Sequence, residues 1–358
     1  MNHFTTPAPH GVGVTAHTDT SRRVDRRRGL SRTLVAGAAA MVLAACSGPS
    51  TEVESGAADA GKSVTIDVCG TDVTFEGVPE RVFVNDINML EMMLALELED
   101  HIAAAFLWGE DDTLLPELSA RLEAADVTPT IGSINDEIET ILAFDPDMVY
   151  AGWNYGLRVG GAVTPELLAE RGVDTYLLRE SCRHVQPELG RTTMDDIYYD
   201  ARALGEIFGV EDRAEALISQ WQSTIREAVA LVPDSAEGRV DIFLYDSGED
   251  EPFTAGFFAM PDEMFRLAGG RNIIDDVNAT WTAVSWERVI EQDPEFIPVV
   301  EYGGVTCDER IATLQSLPAL RDVTAIVNAN FDCYVYAEVV PGVRTADATL
   351  RLATSLWS

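Results

Sequence analysis

Lysine is nearly missing from this chain. One residue of 358, Lys62, carries an ammonium side chain, and the 25 basic residues face 60 acidic ones, for a formal net charge of −35. A nucleic-acid binder gains affinity by neutralising phosphates, so this balance excludes that class. Histidine is scarce as well: of five, only His101 and His184 lie beyond His17. A receptor for bare zinc or manganese usually needs several imidazoles, so no metal site is expected. There is no G-x-S-x-G elbow and no C-x-x-C pair, which removes the usual marks of a serine hydrolase and of a thiolate metal site. No unbroken apolar run reaches 18 residues, so none is long enough to span a bilayer.

The first 45 residues read as an export address. Arg22, Arg23, Arg26, Arg27, Arg28 and Arg32 precede a short alanine-rich apolar stretch, Thr33 to Val42, and then Leu43-Ala44-Ala45-Cys46. Charge, then apolar, then small residues is the order of a secretory signal. Leu-Ala-Ala-Cys resembles the bacterial lipobox, which implies diacylation of Cys46 and anchoring to the outer face of the cytoplasmic membrane. Arg27-Arg28-Gly29-Leu30 loosely resembles a twin-arginine signal, with Arg26 where a hydroxyl residue is preferred. Removing residues 1–45 leaves 19 basic against 58 acidic residues, a formal charge of −39. Residues 46–63 are small and polar, the composition of a flexible tether.

With Cys46 taking the lipid, Cys69, Cys182, Cys307 and Cys333 remain. In an oxidising compartment four thiols allow three pairings, of which Cys69–Cys182 with Cys307–Cys333 keeps each bond inside one half of the chain.

The chain also repeats itself. Glu139-Thr-Ile-Leu-Ala-Phe-Asp145-Pro146-Asp147 returns as Glu287-Arg-Val-Ile-Glu-Gln-Asp293-Pro294-Glu295, each followed by an apolar run. The pattern predicts a short helix stopped before proline and then a buried strand. Further strands are expected at Arg81–Val84, Ile102–Phe106, Thr175–Leu178, Val240–Tyr245 and Cys333–Tyr336, with helices at Glu91–Leu98 and Pro165–Arg171. This alternation predicts an α/β fold with mainly parallel sheets. Between the halves, Ala214, Leu217, Ile218, Trp221, Ile225, Ala228 and Val232 form one apolar face of a helix over Glu211–Val232, about 33 Å long at ~1.5 Å per residue. The organisation expected is a signal at 1–45, a tether at 46–63, one α/β lobe at 64–200, a helical connector at 201–232 and a second lobe at 233–358. Lobes joined by one helix are expected to share few contacts and to close modestly on a ligand.

An ordered set of short motifs gives this pattern a family. Val78-Pro79-Glu80-Arg81-Val82, Thr130-Ile131-Gly132-Ser133, Pro252-Phe253-Thr254-Ala255-Gly256, Leu267-Ala268-Gly269-Gly270-Arg271-Asn272 and Trp281-x3-Ser285-x-Glu287 follow one another. From Val64 onward the chain resembles the class III substrate-binding proteins of ABC importers, which take ferric siderophores, haem and cobalamin. The resemblance implies two α/β lobes joined by a long helix, a ligand cleft between them, and no catalysis. It implies permease and ATPase partners, a monomer, and a chelate or corrinoid as ligand rather than a cofactor. It also implies that Glu139 and Glu287 pair with arginines of the permease.

Ligands of α/β sheets lie beyond the carboxyl ends of strands. Trp153, Asn154, Tyr155 and Arg158 follow one strand, Asp246, Phe253, Phe257 and Phe258 another, and Tyr302 a third. Aromatic faces suit a large greasy chelate and arginine suits its anionic edge. Phe253 and Trp281 match aromatic contacts of the cobalamin-binding member by motif, whereas a further tryptophan of that member falls near Ser133, where no aromatic stands. Trp153, Tyr155, Arg158, Phe253, Trp281, Tyr302 and Arg344 are the candidate ligand residues, with Arg183 and His184 beside them. A ferric siderophore-type chelate is the ligand expected, and cobalamin or another organic cofactor or precursor the alternative. Haem, using His184 or a tyrosine as axial ligand, and a non-transport sensory role stand behind these.

Overall fold

The computed structural model describes residues 63–109, 113–125, 127–132, 134, 137–234 and 240–358. The expected signal peptide, Cys46, the tether through residue 62 and Ser133 lie outside the described residues. The described chain opens with an antiparallel hairpin, β1 (Val64–Val68) and β2 (Thr71–Phe75). Its two turn residues, Cys69 and Gly70, have φ of 51° and 80°, the left-handed pair that a two-residue hairpin turn requires. Cys69 is disulfide-bonded to Cys182, which fastens this turn to the 3-10 helix Arg179–His184.

The first sheet contains β3 (Val82–Asn85), β4 (Ile102–Leu107), β5 (Thr130–Ile131), β6 (Met148–Trp153), the short β7 (Gly156–Leu157) and β8 (Asp174–Leu177). Its order is β5-β4-β3-β6-β8, every pair parallel. All of β3 and nearly all of β6 are buried, as in parallel sheets covered on both faces. The second half contains β9 (Val240–Ile242), β10 (Phe253–Ala255), β11 (Gly270–Asn272), β12 (Trp281–Ala283), β13 (Ile297–Glu301) and β14 (Phe331–Val335). Parallel pairs β11-β9 and β13-β14 are joined by parallel bridges Ile242↔Phe296 and Tyr245↔Val299 into one order, β11-β9-β13-β14. Strands β10 and β12 pair antiparallel beside it. The second disulfide, Cys307–Cys333, ties the helix Cys307–Ser316 to β14. Both bonds are the within-half pairing.

The sequence repeat is a structural repeat. In the first copy the helix Ile138–Leu142 is followed by Asp145 at φ 50° and then β6; in the second, Trp286–Gln292 is followed by Asp293 at φ 45° and then β13. Aspartate tolerates this left-handed turn better than most residues. The acid after each proline then performs one task twice. Asp147 accepts from the main-chain N–H of Arg81 at 2.9 Å, and Glu295 from that of Asp241 at 3.2 Å, each beside the start of the neighbouring strand.

The long helix runs Glu211–Leu231 and buries Ala214, Ile218, Trp221 and Ala228, with Leu217 and Ile225 half-buried on the same face. It packs against the helix Met194–Phe208, which ends at left-handed Gly209, and against the C-terminal helix Thr345–Trp357. The fold is α/β with two lobes, but the expectation that the lobes share few contacts is overturned. One hydrophobic cluster runs from Ile66 through Ile218, Ile242, Leu244 and Ala255 to Ala353, and among the described residues an outer layer about Phe243, Ile297 and Leu314 stands apart. The reason is the return of the chain. Residues 336–344 cross back onto the helix Ile87–Ala95, where Asn88 Nδ2 donates to Pro341 O at 2.7 Å and Arg344 Nε to Glu91 Oε2 at 2.8 Å.

Candidate functional site

Parallel strands in common register bring their carboxyl ends to one level, and the residues that follow them gather there. Trp108 follows β4, Asn154 to Arg158 follow β6, Asp246 lies beyond β9, Tyr302 follows β13 and Tyr336 follows β14. Together with Phe253 and Trp281 from β10 and β12 they line a cavity of about 640 Å³. That volume is in the ~300–1,000 Å³ range of small-molecule sites.

Its faces are aromatic. Phe253 and Trp281 stack with ring centroids 6.2 Å apart and planes at 20°, and Phe253 leaves 37% of its surface open. Tyr302 and Tyr336 meet at 6.1 Å. The indole of Trp108 is 50% exposed, its N–H donating to Asp86 Oδ2 at 2.8 Å. Tyr336 donates to the same oxygen at 2.8 Å, so buried Asp86 holds one aromatic from each half. Asp86 sits at φ 87° and accepts from Ile87 N, capping the helix behind it.

The polar groups are few and tied down. Tyr302 donates to Asp246 Oδ1 at 2.7 Å; burial and the nearby Asp246 charge push its phenol up to about 12. Asp246 is itself raised, chiefly by burial, against hydrogen bonds from Ser247 and Tyr302 and the charge of Arg310. Tyr155 donates to Glu180 Oε2 at 2.7 Å, and Glu180 Oε1 takes the main-chain N–H of Met260, the first residue of a second-half helix, at 2.8 Å. Burial outweighs both bonds and pushes Glu180 up to about 7. His184 Nε2 lies 3.2 Å from both Asn154 Nδ2 and Thr280 Oγ1, and burial lowers its pKa. Arg158 is exposed at the cavity and has no ion pair or side-chain hydrogen bond among the described residues. No group of three or more His, Cys, Asp or Glu among the described residues is arranged to hold a metal.

Of the candidate ligand residues, Tyr155, Arg158, Phe253, Trp281 and Tyr302 come together on this cavity, with Asn154 and Asp246. Trp153 and Arg344 do not line it. Trp153 packs against the core with its indole nitrogen buried and, among the described residues, unpartnered, because the chain turns at left-handed Asn154 and brings the next residues round instead. Arg344 is held by Glu91 and by Thr113 O. Arg183 is buried against Asp196, with Nη2 3.0 Å from Oδ2, and Phe257 and Phe258 lie at the junction with Arg191 and Thr192. Glu139 and Glu287 are exposed, each the second residue of its helix. Trp108 and Tyr336 were not among the expected site residues. Trp108 stands one residue past a strand that the sequence shows clearly, and that position was the signal. The sequence pattern extends the last strand through Tyr336, but β14 ends at Val335 and Tyr336 begins a helix.

Comparison with known proteins bears on the fold. A family model described as periplasmic binding protein matches residues 86–331. Comparison with curated proteins yields no match. Among solved structures, a periplasmic binding protein from Veillonella parvula aligns with TM-score 0.69 and 27% identity, over 83% of this chain and 99% of that one. An ABC-type Fe3+-hydroxamate transport system protein from Saccharomonospora viridis aligns with TM-score 0.69 at 24% identity, over 82% and 99%. The periplasmic haem-binding protein HutB of Vibrio cholerae aligns with TM-score 0.59 at 17% identity, over 78% and 99%. The last two likenesses are of fold.

Proposed function

The chain belongs to the periplasmic binding protein family, and from that premise we propose that it captures a ferric siderophore-type chelate outside the cytoplasm and delivers it to the permease of an ABC importer. The observation that carries the proposal is the cavity: aromatic faces from both halves around about 640 Å³, with the guanidinium of Arg158, unpaired among the described residues, at its edge. Aromatic faces contribute contact area to a bulky apolar ligand, and the guanidinium donates to the oxygen-rich centre of a hydroxamate. A saturated iron chelate needs no protein ligand to its metal, which accords with side chains already engaged with one another. Haem would require an axial ligand. Tyr302 and Tyr155 are bound to carboxylates and raised in pKa, and His184 Nε2 is held by Asn154 and Thr280, so these groups are poorly placed to ligate iron. The stacked Phe253–Trp281 pair favours a corrinoid as the second reading. In this proposal Cys46 carries the lipid anchor, and exposed Glu139 and Glu287 meet basic residues of the permease, fixing register more than affinity. Reversing both charges is expected to abolish uptake while leaving ligand affinity intact; uptake at the normal rate would remove the assignment.

The deciding measurement is tryptophan fluorescence, with ferric hydroxamate, ferric catecholate, haem and cobalamin each titrated into the protein and corrected for absorbance. Saturable quenching by the hydroxamate is expected, weakened by roughly tenfold or more in Phe253→Ala with Trp281→Ala, the scale of one lost aromatic anchor. Saturation by cobalamin alone would replace the proposal with its alternative.

A further inference from the structure

We infer that the ligand presents a positively charged nitrogen, a protonated amine, to the second-half wall of the cavity, and that Asp246 receives it; this rests on the chelate reading above and narrows it.

The argument is the direction of the hydrogen bonds. Tyr302 has one hydroxyl hydrogen, committed to Asp246 Oδ1 at 2.7 Å, and Ser247 commits its own to the same oxygen at 2.7 Å. The Asn154 amide nitrogen can only donate, so His184 Nε2 accepts, and the Thr280 hydroxyl 3.2 Å from that nitrogen donates to it too. Tyr302 and Thr280 therefore have lone pairs, not hydrogens, left for a ligand. Asp246 adds a stronger acceptor. It is 4% exposed and lines the cavity, and among the described residues the hydrogen bonds its side chain receives, from Ser247 and Tyr302, both end on Oδ1. A carboxylate has about four acceptor positions, so Oδ2 keeps capacity to accept from a donor on the ligand.

Arg310 does not fill that place. Its Nη1 donates to the main-chain oxygen of Asp246 at 2.6 Å and its Nη2 to that of Tyr302 at 3.1 Å, with the guanidinium 4.8 Å from the Tyr302 ring centroid. It helps keep Asp246 ionised without capping it. From the first half comes the opposite character, the guanidinium of Arg158, which lines the cavity and has no ion pair among the described residues. The cavity is thus polar in a directional sense: a donor for ligand oxygen on one side, acceptors for ligand nitrogen on the other. The faces of Tyr302, Phe253 and Trp281 add attraction for a cation. A ligand carboxylate placed against Asp246 would meet like charge and lone pairs.

The test uses three ferric linear trihydroxamates that differ only at one end: a free amine, its N-acetyl derivative and its N-succinyl derivative. Calorimetric titration is expected to find the amine form bound roughly ten- to a hundredfold more tightly than the acetyl form, the worth of a charge-assisted hydrogen bond, and the succinyl form weakest. Asp246→Asn, checked for folding by circular dichroism, should bring the amine-to-acetyl ratio toward one. Succinyl binding as tight as amine binding, or a ratio unchanged in Asp246→Asn, would overturn the inference; if the variant does not fold, the wild-type ratio decides. An iron-free pair, an arylalkylammonium and the carboxylate of equal length, is followed by ligand-observed NMR. If the ammonium is preferred while all three chelates fail to bind, the hydroxamate reading falls and the amine requirement stands. If the carboxylate binds as well as the ammonium, the amine requirement falls whatever the chelates do.

Discussion

Glu180 shows how one side chain ties the site to stability. It accepts from Tyr155 in the first half and from Met260 in the second, and both bonds favour the ionised form, yet burial prevails and holds its pKa near 7. The unfolded carboxyl titrates near 4.5. Between those two values the folded state binds the extra proton, so stability falls as pH rises through the window and levels off above about 7. The size is on the order of 3 kcal/mol, from roughly two and a half pKa units at about 1.4 kcal/mol each. Glu180→Gln mimics the protonated form. It is expected to match the wild type in urea unfolding at pH 4.5 and to lose less stability than the wild type on going to pH 8. An unchanged slope in the variant would place the acid optimum elsewhere, for example on buried Asp200, whose pKa is raised to about 8. Sequence reading could not have found this group. Glu180 stands in an ordinary run, Leu-Arg-Glu-Ser-Cys, and only the packing of a second-half helix end upon it makes it buried and shared.

Among the elements, the two disulfides do unequal work. Cys69–Cys182 closes a separation of 113 residues and Cys307–Cys333 one of 26. Loop-closure entropy gives about 4.8 and about 3.5 kcal/mol as upper figures, so the Cys69→Ser/Cys182→Ser pair should lower the thermal midpoint more than Cys307→Ser/Cys333→Ser. The reverse order would mean that anchoring the helix Cys307–Ser316 on β14 outweighs chain entropy. Most of these elements were legible beforehand, and the reason is local. Strands β3, β4, β6 and β13 are apolar runs bounded by turns, and the Asp-Pro breaker announces itself twice. What was not legible depends on contacts between distant segments. Arg344 reads as a free cation until Glu91, 253 residues away, is seen to bind it. Trp153 reads as a cleft aromatic until the left-handed turn at Asn154 is known.

At the scale of the molecule, the shared core and the surplus of negative charge make separate predictions. Because one hydrophobic cluster joins residues of both halves, calorimetry should show a single transition for the folded chain. Two resolved peaks would mean that the lobes unfold independently. A formal charge of −35 opposes compaction, and screening shortens its reach from about 10 Å at 0.1 M salt to about 3 Å at 1 M. Sodium chloride should therefore raise the midpoint; a flat response would mean that local pairs such as Arg121 with Glu97 and Glu99 already absorb the repulsion.

The continuous cluster also bears on descent. Asn88 against Pro341, Glu91 against Arg344 and Asp86 against Tyr336 are fits between the first third of the chain and its last few turns. A crossover between genes for two such binding proteins, placed at the long helix Glu211–Leu231, would pair one parent's Glu91 with the other's counterpart of Arg344. New ligand tastes should then arise less by exchanging whole lobes than by altering the residues just past the strand ends, where change leaves the seam intact.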